Sequence, residues 1–86
     1  MNVTYSKQFV KDIKKYPDLK TKILGIINTS KNANSLTEIK NIKKLKFPGN
    51  FFRIKIGHFR IGFSFANDII TFKRFLHRKD IYKYFP

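Results

Sequence analysis

The stretch Phe51–Ala66 (FFRIKIGHFRIGFSFA) limits the fold more than any other part of the chain, because two alternating runs flank a Gly57-His58 pair. Apolar and polar residues alternating with a period of two mark a strand with one buried face. A glycine at the first position of a two-residue loop supplies the positive φ that tight hairpin turns need. Such a turn fixes the register, so that Ile56 opposes Phe59, Ile54 opposes Ile61 and Phe52 opposes Phe63. These apolar residues then share one face, expected to cover the core. The other face carries Arg53, Lys55, Arg60, Gly62 and Ser64, with Lys55 directly opposite Arg60. Like charges across a strand pair are unfavourable, so structure alone would not select this pairing. Gly62, opposite Arg53, reads as open space beside the cations. A polyanionic ligand would account for both features.

The flanking sequence supplies helices and further strands. Met1–Tyr5 has the alternation of a short strand, and Ser6 can N-cap a helix through Tyr16 with Phe9, Val10, Ile13 and Tyr16 as its apolar stripe. Pro17 and Asp18 suit the start of a second helix, whose stripe is Leu19, Ile23, Ile26 and Ile27 and which should fade around Ser30–Asn34. So short a connection makes the two an antiparallel hairpin. Ser35-Leu36-Thr37-Glu38 has capping-box spacing, which predicts one more helical turn. Ile42–Phe47 reads as a strand carrying Lys43, Lys44 and Lys46, followed by a Pro48-Gly49-Asn50 turn. Asn67-Asp68 is a second tight turn, leading into a strand at Ile69–Leu76. Strict alternation there puts Ile70, Phe72 and Leu76 on the core face together with Arg74, and puts Lys73, Phe75 and His77 on the basic face. Either Arg74 sits at a sheet margin or a bulge changes the phase. Arg78–Pro86 should close the chain as a short helix or turn. The expected fold is α+β: an N-terminal antiparallel helix hairpin packed on one face of a small, about four-stranded, mainly antiparallel sheet, with residues 1–86 forming one domain.

Charge narrows the partners. Lys plus Arg number 19 against 5 Asp plus Glu, a formal net charge of +14, while 42% of the residues are hydrophobic and ten are Phe. That apolar content suffices for one core and is too high for a disordered tail. A one-sided excess repels itself in the folded state, so it points to a partner carrying phosphates or carboxylates, most simply RNA. There is no Cys, which excludes disulfides and Cys-based metal sites, and His58 and His77 lack zinc-motif spacing. No apolar run approaches the ~18 residues of a membrane helix. A reducing cytoplasm is the expected compartment, with no membrane role and no cofactor or metal.

The cations that gather at the hairpin point first to RNA binding; cleavage by the 2′-hydroxyl, which the family resemblance given below implies, makes further demands on the residues. That reaction needs a base, cations that stabilise a charged phosphorane, and an acid for the leaving 5′-oxygen. Arg53, Lys55 and Arg60 supply the cations. Arginine stays protonated in proteins and is unsuited as a base. Lys55 fits better, since two neighbouring arginines favour its neutral form. His77 is the other titratable candidate. Tyr82 or Phe75 could stack on a base, and Lys46 and Lys73 add RNA-binding charge. In most proteins such cations are solubilising charge; the absence of interleaved acids favours a site.

A two-helix hairpin, the FRIKIGHFRIGFSF hairpin and a strand ending in LHRKDIY together resemble the RelE/ParE superfamily of bacterial and archaeal toxins. The resemblance covers nearly the whole chain and is strongest from Phe51 to Tyr82. It implies the toxin of a type II toxin–antitoxin system, a ribosome-dependent, metal-independent mRNA endonuclease that inhibits translation and is silenced by a cognate antitoxin. It implies the ribosome and A-site mRNA as further partners. On the RelE pattern, Arg53 and Lys55 fall where a lysine pair helps activate the 2′-hydroxyl, and Arg60 where an arginine steadies the phosphate. Arg78 matches a residue linked to leaving-group protonation, and Tyr82 one that orients substrate. Relatives with a His near the C-terminus imply that His77 could share the role given to Arg78. Arg53 stands in place of a lysine, and the stretch from Arg78 to Tyr82 is shorter than the RelE prototype's. Two other readings stay open: a ParE-like gyrase-inhibiting toxin, and a non-catalytic RNA-binding or degenerate toxin.

Overall fold

The computed structural model describes residues 1–86. Its centre is the hairpin, with β3 (Phe51–Ile56) and β4 (Phe59–Ala66) joined at Gly57, whose φ is 59°. The expected register is the one formed, including Lys55 opposite Arg60 and Arg53 opposite Gly62. Magnitudes explain why. Fully burying an Ile or Phe side chain is worth roughly 1.5–3 kcal/mol, and a poor cross-strand charge pair costs on the order of 0.2–1 kcal/mol. Ile54, Ile61 and Phe63 are buried, and Phe52, Ile56 and Phe59 pack on the same cluster. Slipping the register by one residue would turn that face to solvent, so apolar burial alone selects the unfavourable charge pairing.

The Asn67-Asp68 turn, both residues at positive φ, leads into β5 (Ile69–His77). β1 (Asn2–Tyr5) adds on the far edge, parallel to β5, and β2 (Ile42–Lys44) on the near edge, antiparallel to β3. The sheet thus has five strands in the order β1-β5-β4-β3-β2. α1 (Lys7–Lys14) starts at Ser6, whose Oγ accepts the Phe9 N–H at 3.0 Å. It runs along β5, with Phe9 stacked on Phe72 at 5.5 Å, and Tyr16 beyond it meets Phe59 at 4.7 Å. Pro17–Leu19 forms a 3-10 turn, and α2 (Lys20–Asn32) returns antiparallel until its last carbonyls reach the N-terminus of β1. There Met1 N donates to Lys31 O and Ala33 O at 2.8 Å each. The capping-box segment makes a single 3-10 turn, Leu36–Glu38, with Glu38 Oε2 accepting from Asn34 N–H.

A bulge settles the phase of β5. Gly62 pairs with Arg74 but Phe63 pairs with Phe72, which leaves Lys73 as the extra residue. Phe75 is therefore in the core at 1% exposure, and Arg74 and Leu76 turn to the opposite face. The cause lies on α1. β1 stops pairing at Phe72, and the Phe75 N–H beyond it donates to the buried Asp12 carboxylate at 2.9 Å. Arg74 Nε and Gln8 Nε2 complete the carboxylate's partners, at 2.8 and 3.0 Å.

A second apolar cluster lies on the cationic side of the sheet, where α3 (Ile81–Tyr84) packs Ile81 and Phe85 against Leu45, Phe51 and Leu76. The space beside Gly62 is not open. A Cβ on Gly62 would come within 2.6 Å of the Phe85 ring, so the glycine is there for the ring rather than for a ligand. Gly62→Ala is expected to cost about 1–3 kcal/mol through overpacking, read as a lowered urea midpoint. Most of that loss should vanish when the same change is made in a Phe85→Ala background.

Candidate functional site

The cationic face is built in rows by the strand register. One row runs Lys43, Arg53, Gly62, Arg74 across four strands; the next runs Lys55, Arg60, Leu76. Asn41, at φ 62°, aims its carbonyl at this corner and accepts both the Lys55 N–H and Arg53 Nη1 at 3.0 Å. The hairpin turn holds Arg60, since its Nη1 donates to Gly57 O at 2.9 Å and Phe59 O at 2.8 Å. Nε and Nη2 of Arg60 are then left without a protein acceptor, the fork geometry that suits a phosphate. The Arg78 N–H donates to His58 O at 2.8 Å, which ties the end of β5 to the same turn.

Arg53, Arg78 and Tyr82 each lie near enough to act on the charge of Arg60. Desolvation is the largest influence lowering Arg60 below the ordinary arginine value; the Arg53 and Arg78 charges add to it and Tyr82 opposes. Arginine still remains charged at neutral pH. The molecule's one salt bridge joins Arg74 to Asp12, so no carboxylate neutralises Arg53, Lys55, Arg60 or Arg78. Lys55 and Arg78 are at the surface, and Tyr82 is 64% exposed rather than packed in the core.

The other expected site residues divide. Lys46 is exposed and lines a cleft with Tyr82. Lys73 is exposed at the bulge, two strands away from Arg53. Phe75 cannot stack on a base, because the bulge buries it among the helices. The same shift moves His77 off the cationic face. It lies opposite Phe59, with their rings 5.6 Å apart, and stacks on His58 at 6.3 Å. Its Nδ1 accepts the Lys79 N–H at 3.1 Å, a structural role in the turn after β5. Lys43 and Asn41 join the corner although the sequence alone does not single them out. Their strand follows an irregular connection, so no tight turn fixes its register against β3 in advance.

Two antiparallel helices on one face of a five-stranded sheet, and unneutralised arginine and lysine on the other, define a small basic α+β protein presenting a concentrated positive face. The chain is 47% identical to Toxin RelE3 of Methanocaldococcus jannaschii over 88 aligned residues, covering 100% of both. It superposes on a chain of the RelB-RelE antitoxin-toxin complex from Methanococcus jannaschii with a TM-score of 0.81 at 45% identity, over 96% of this chain and 99% of that one. A chain of the E. coli DinJ-YafQ complex matches with a TM-score of 0.69 at 15% identity, over 94% and 97%, which shows the shared fold. No family model matches the sequence. On the full-length identity, the chain belongs to the RelE family of toxins.

Proposed function

We propose that this protein is the toxin of a type II toxin–antitoxin pair and cleaves mRNA in the ribosomal A site. The observation that carries this reading is the corner at the Gly57-His58 turn, where Arg53, Lys55 and Arg60 converge with no carboxylate to neutralise them. In this reading Lys55 takes the 2′-hydroxyl proton, and the freed oxygen attacks the adjacent phosphorus. Arg60 and Arg53 hold the doubly charged phosphorane, Arg60 through the Nε and Nη2 donors left free by its turn contacts. Arg78 offsets charge on the departing 5′-oxygen, which takes its proton from solvent. The products are a 2′,3′-cyclic phosphate and a 5′-hydroxyl. Tyr82, exposed beside Arg60, offers a ring on which a base of the message can stack. The cytoplasm, the ribosome and a cognate antitoxin with acidic residues complete the setting. The antitoxin–toxin complexes among the structural relatives support that last partner. The RelE likeness and the phosphate-suited corner favour this over gyrase inhibition.

Induction of the chain in cells, followed by primer extension on cellular mRNA, separates the readings. Growth arrest with discrete mRNA cuts that disappear in a folded Lys55→Ala variant is the expected outcome. DNA damage without mRNA cuts would instead identify a gyrase poison, and ribosome binding without cuts a non-catalytic RNA binder.

A further inference from the structure

The C-terminal segment and the β2–β3 connection enclose an open cleft of about 400 Å³, which the proposed reaction does not use apart from Tyr82 at its rim. Lys43, Lys44, Lys46 and Lys83 line it and no acidic side chain does; Pro86, the last residue, lies there with its main-chain carboxylate, against four lysines. Two large aromatic rings stand in solvent there, Phe47 at 52% and Tyr82 at 64% exposure. Phe47 is not loosely held. It packs edge-on against Phe51 at 5.8 Å, Phe51 packs edge-on against Phe85 at 5.8 Å, and Phe85 rests on Gly62. An exposed aromatic braced by a half-buried ring and a buried one behind it, among lysines that repel each other, is the pairing of π-face and cation used to bind single strands. The volume also falls within the roughly 300–1,000 Å³ of pockets that accept small-molecule-sized groups. Lys43, which lines the cleft, pairs with Arg53 of the reaction corner, and Tyr82 at the rim lies near enough to act on the charge of Arg60.

We infer that this cleft is a second RNA subsite, holding a nucleotide next to the one that is cut, with its base against Phe47 and Tyr82 and its phosphate on Lys44, Lys46 and Lys83. The inference rests on the mRNA-cleavage reading for its substrate. Such a subsite binds substrate and transition state alike, so its loss raises KM and leaves kcat alone. It tolerates any base, because stacking reads no hydrogen-bond pattern.

The test uses the full chain on ribosomes programmed with a defined message. Phe47→Ala should raise KM for cleavage about tenfold, with kcat within about twofold of the parent and an unchanged unfolding midpoint; Phe47→Tyr should restore KM. In parallel, p-benzoylphenylalanine placed at position 47 is irradiated on a message whose reacting 2′-hydroxyl is methylated. Cross-links to the message beside the blocked position support the subsite. Cross-links confined to ribosomal RNA overturn it, as does an unchanged KM. A Phe47→Ala chain that loses affinity only for an acidic peptide partner would make the cleft a protein-docking surface and overturn it as well. A parent that leaves unmodified message whole, while the chain with p-benzoylphenylalanine at position 47 still cross-links to it, would sink the nuclease reading and keep the subsite.

Discussion

Arg60→Ala is expected to slow mRNA cleavage by about 10²–10³-fold, the usual loss on removing one preorganised donor from a developing oxyanion. The side chain is held by two carbonyls of its own turn, so its remaining donors are oriented before substrate arrives. That preorganisation gives the group its leverage, since no reorganisation is needed as charge builds on the phosphorane. Stability should change little. The hydrogen bonds that Arg60 makes lie at the partly exposed turn, and its removal relieves repulsion from Arg53 and Arg78. Arg60→Lys should recover only part of the rate, because an ammonium cannot reproduce the planar fork. Single-turnover cleavage on programmed ribosomes, with an unfolding curve for each variant, checks both halves.

Asp12→Ala should produce the largest loss of stability. Breaking a fully buried pair costs about 3–5 kcal/mol. Here only Asp12 is buried and Arg74 is 22% exposed, which puts the loss towards the lower end of that range, against a total of roughly 5–15 kcal/mol for a domain. The carboxylate is 1% exposed and accepts from Arg74, Gln8 and the Phe75 main chain, so its removal strands donors at the open edge of β5. Burial raises the Asp12 pKa, but the bonds from Arg74, Phe75 and Gln8 outweigh it and hold the group below its ordinary 3.8. The sign follows from that direction. The ionised carboxylate stabilises the fold fully above 3.8, and this contribution is lost as pH falls through the lowered native value. Urea unfolding at pH 7 should show the deficit in Asp12→Ala. Below pH 3.8 the parent's stability should fall towards the variant's, closing the gap between them. Hydrogen exchange at the Phe75 amide should lose its protection in the same variant.

The hairpin was legible because everything that defines it is local. Gly57 supplies the turn, and the alternation on either side supplies the face. The Ser6 cap and the helix stripes were legible for the same reason, except that Val10 of the first stripe stands 37% exposed outside the core. The phase of β5 was not, since it depends on Asp12, 63 residues away in sequence from the amide it accepts. Two misfits carried a faint signal: an aspartate within the apolar stripe of α1, and an arginine whose alternation pointed into the core. Opposite charges that both fail their local pattern can resolve each other. Gly62 misled for a related reason. The ring that fills its space comes from Phe85 at the chain end, and no local rule connects the two. Of the candidate site, the Arg53, Lys55 and Arg60 corner was readable from one strand pair, whereas Lys43 required an edge strand's register, and Phe75 and His77 moved with the bulge.

The most direct measurement incubates the purified chain with a defined mRNA, with ribosomes present and absent, and maps the ends formed. Discrete A-site cuts that require ribosomes, carry 2′,3′-cyclic phosphate ends and vanish in Lys55→Ala and Arg60→Ala are the predicted result. An intact message in the presence of ribosomes, or cuts that persist undiminished in both variants, would contradict the assignment of cleavage to this corner.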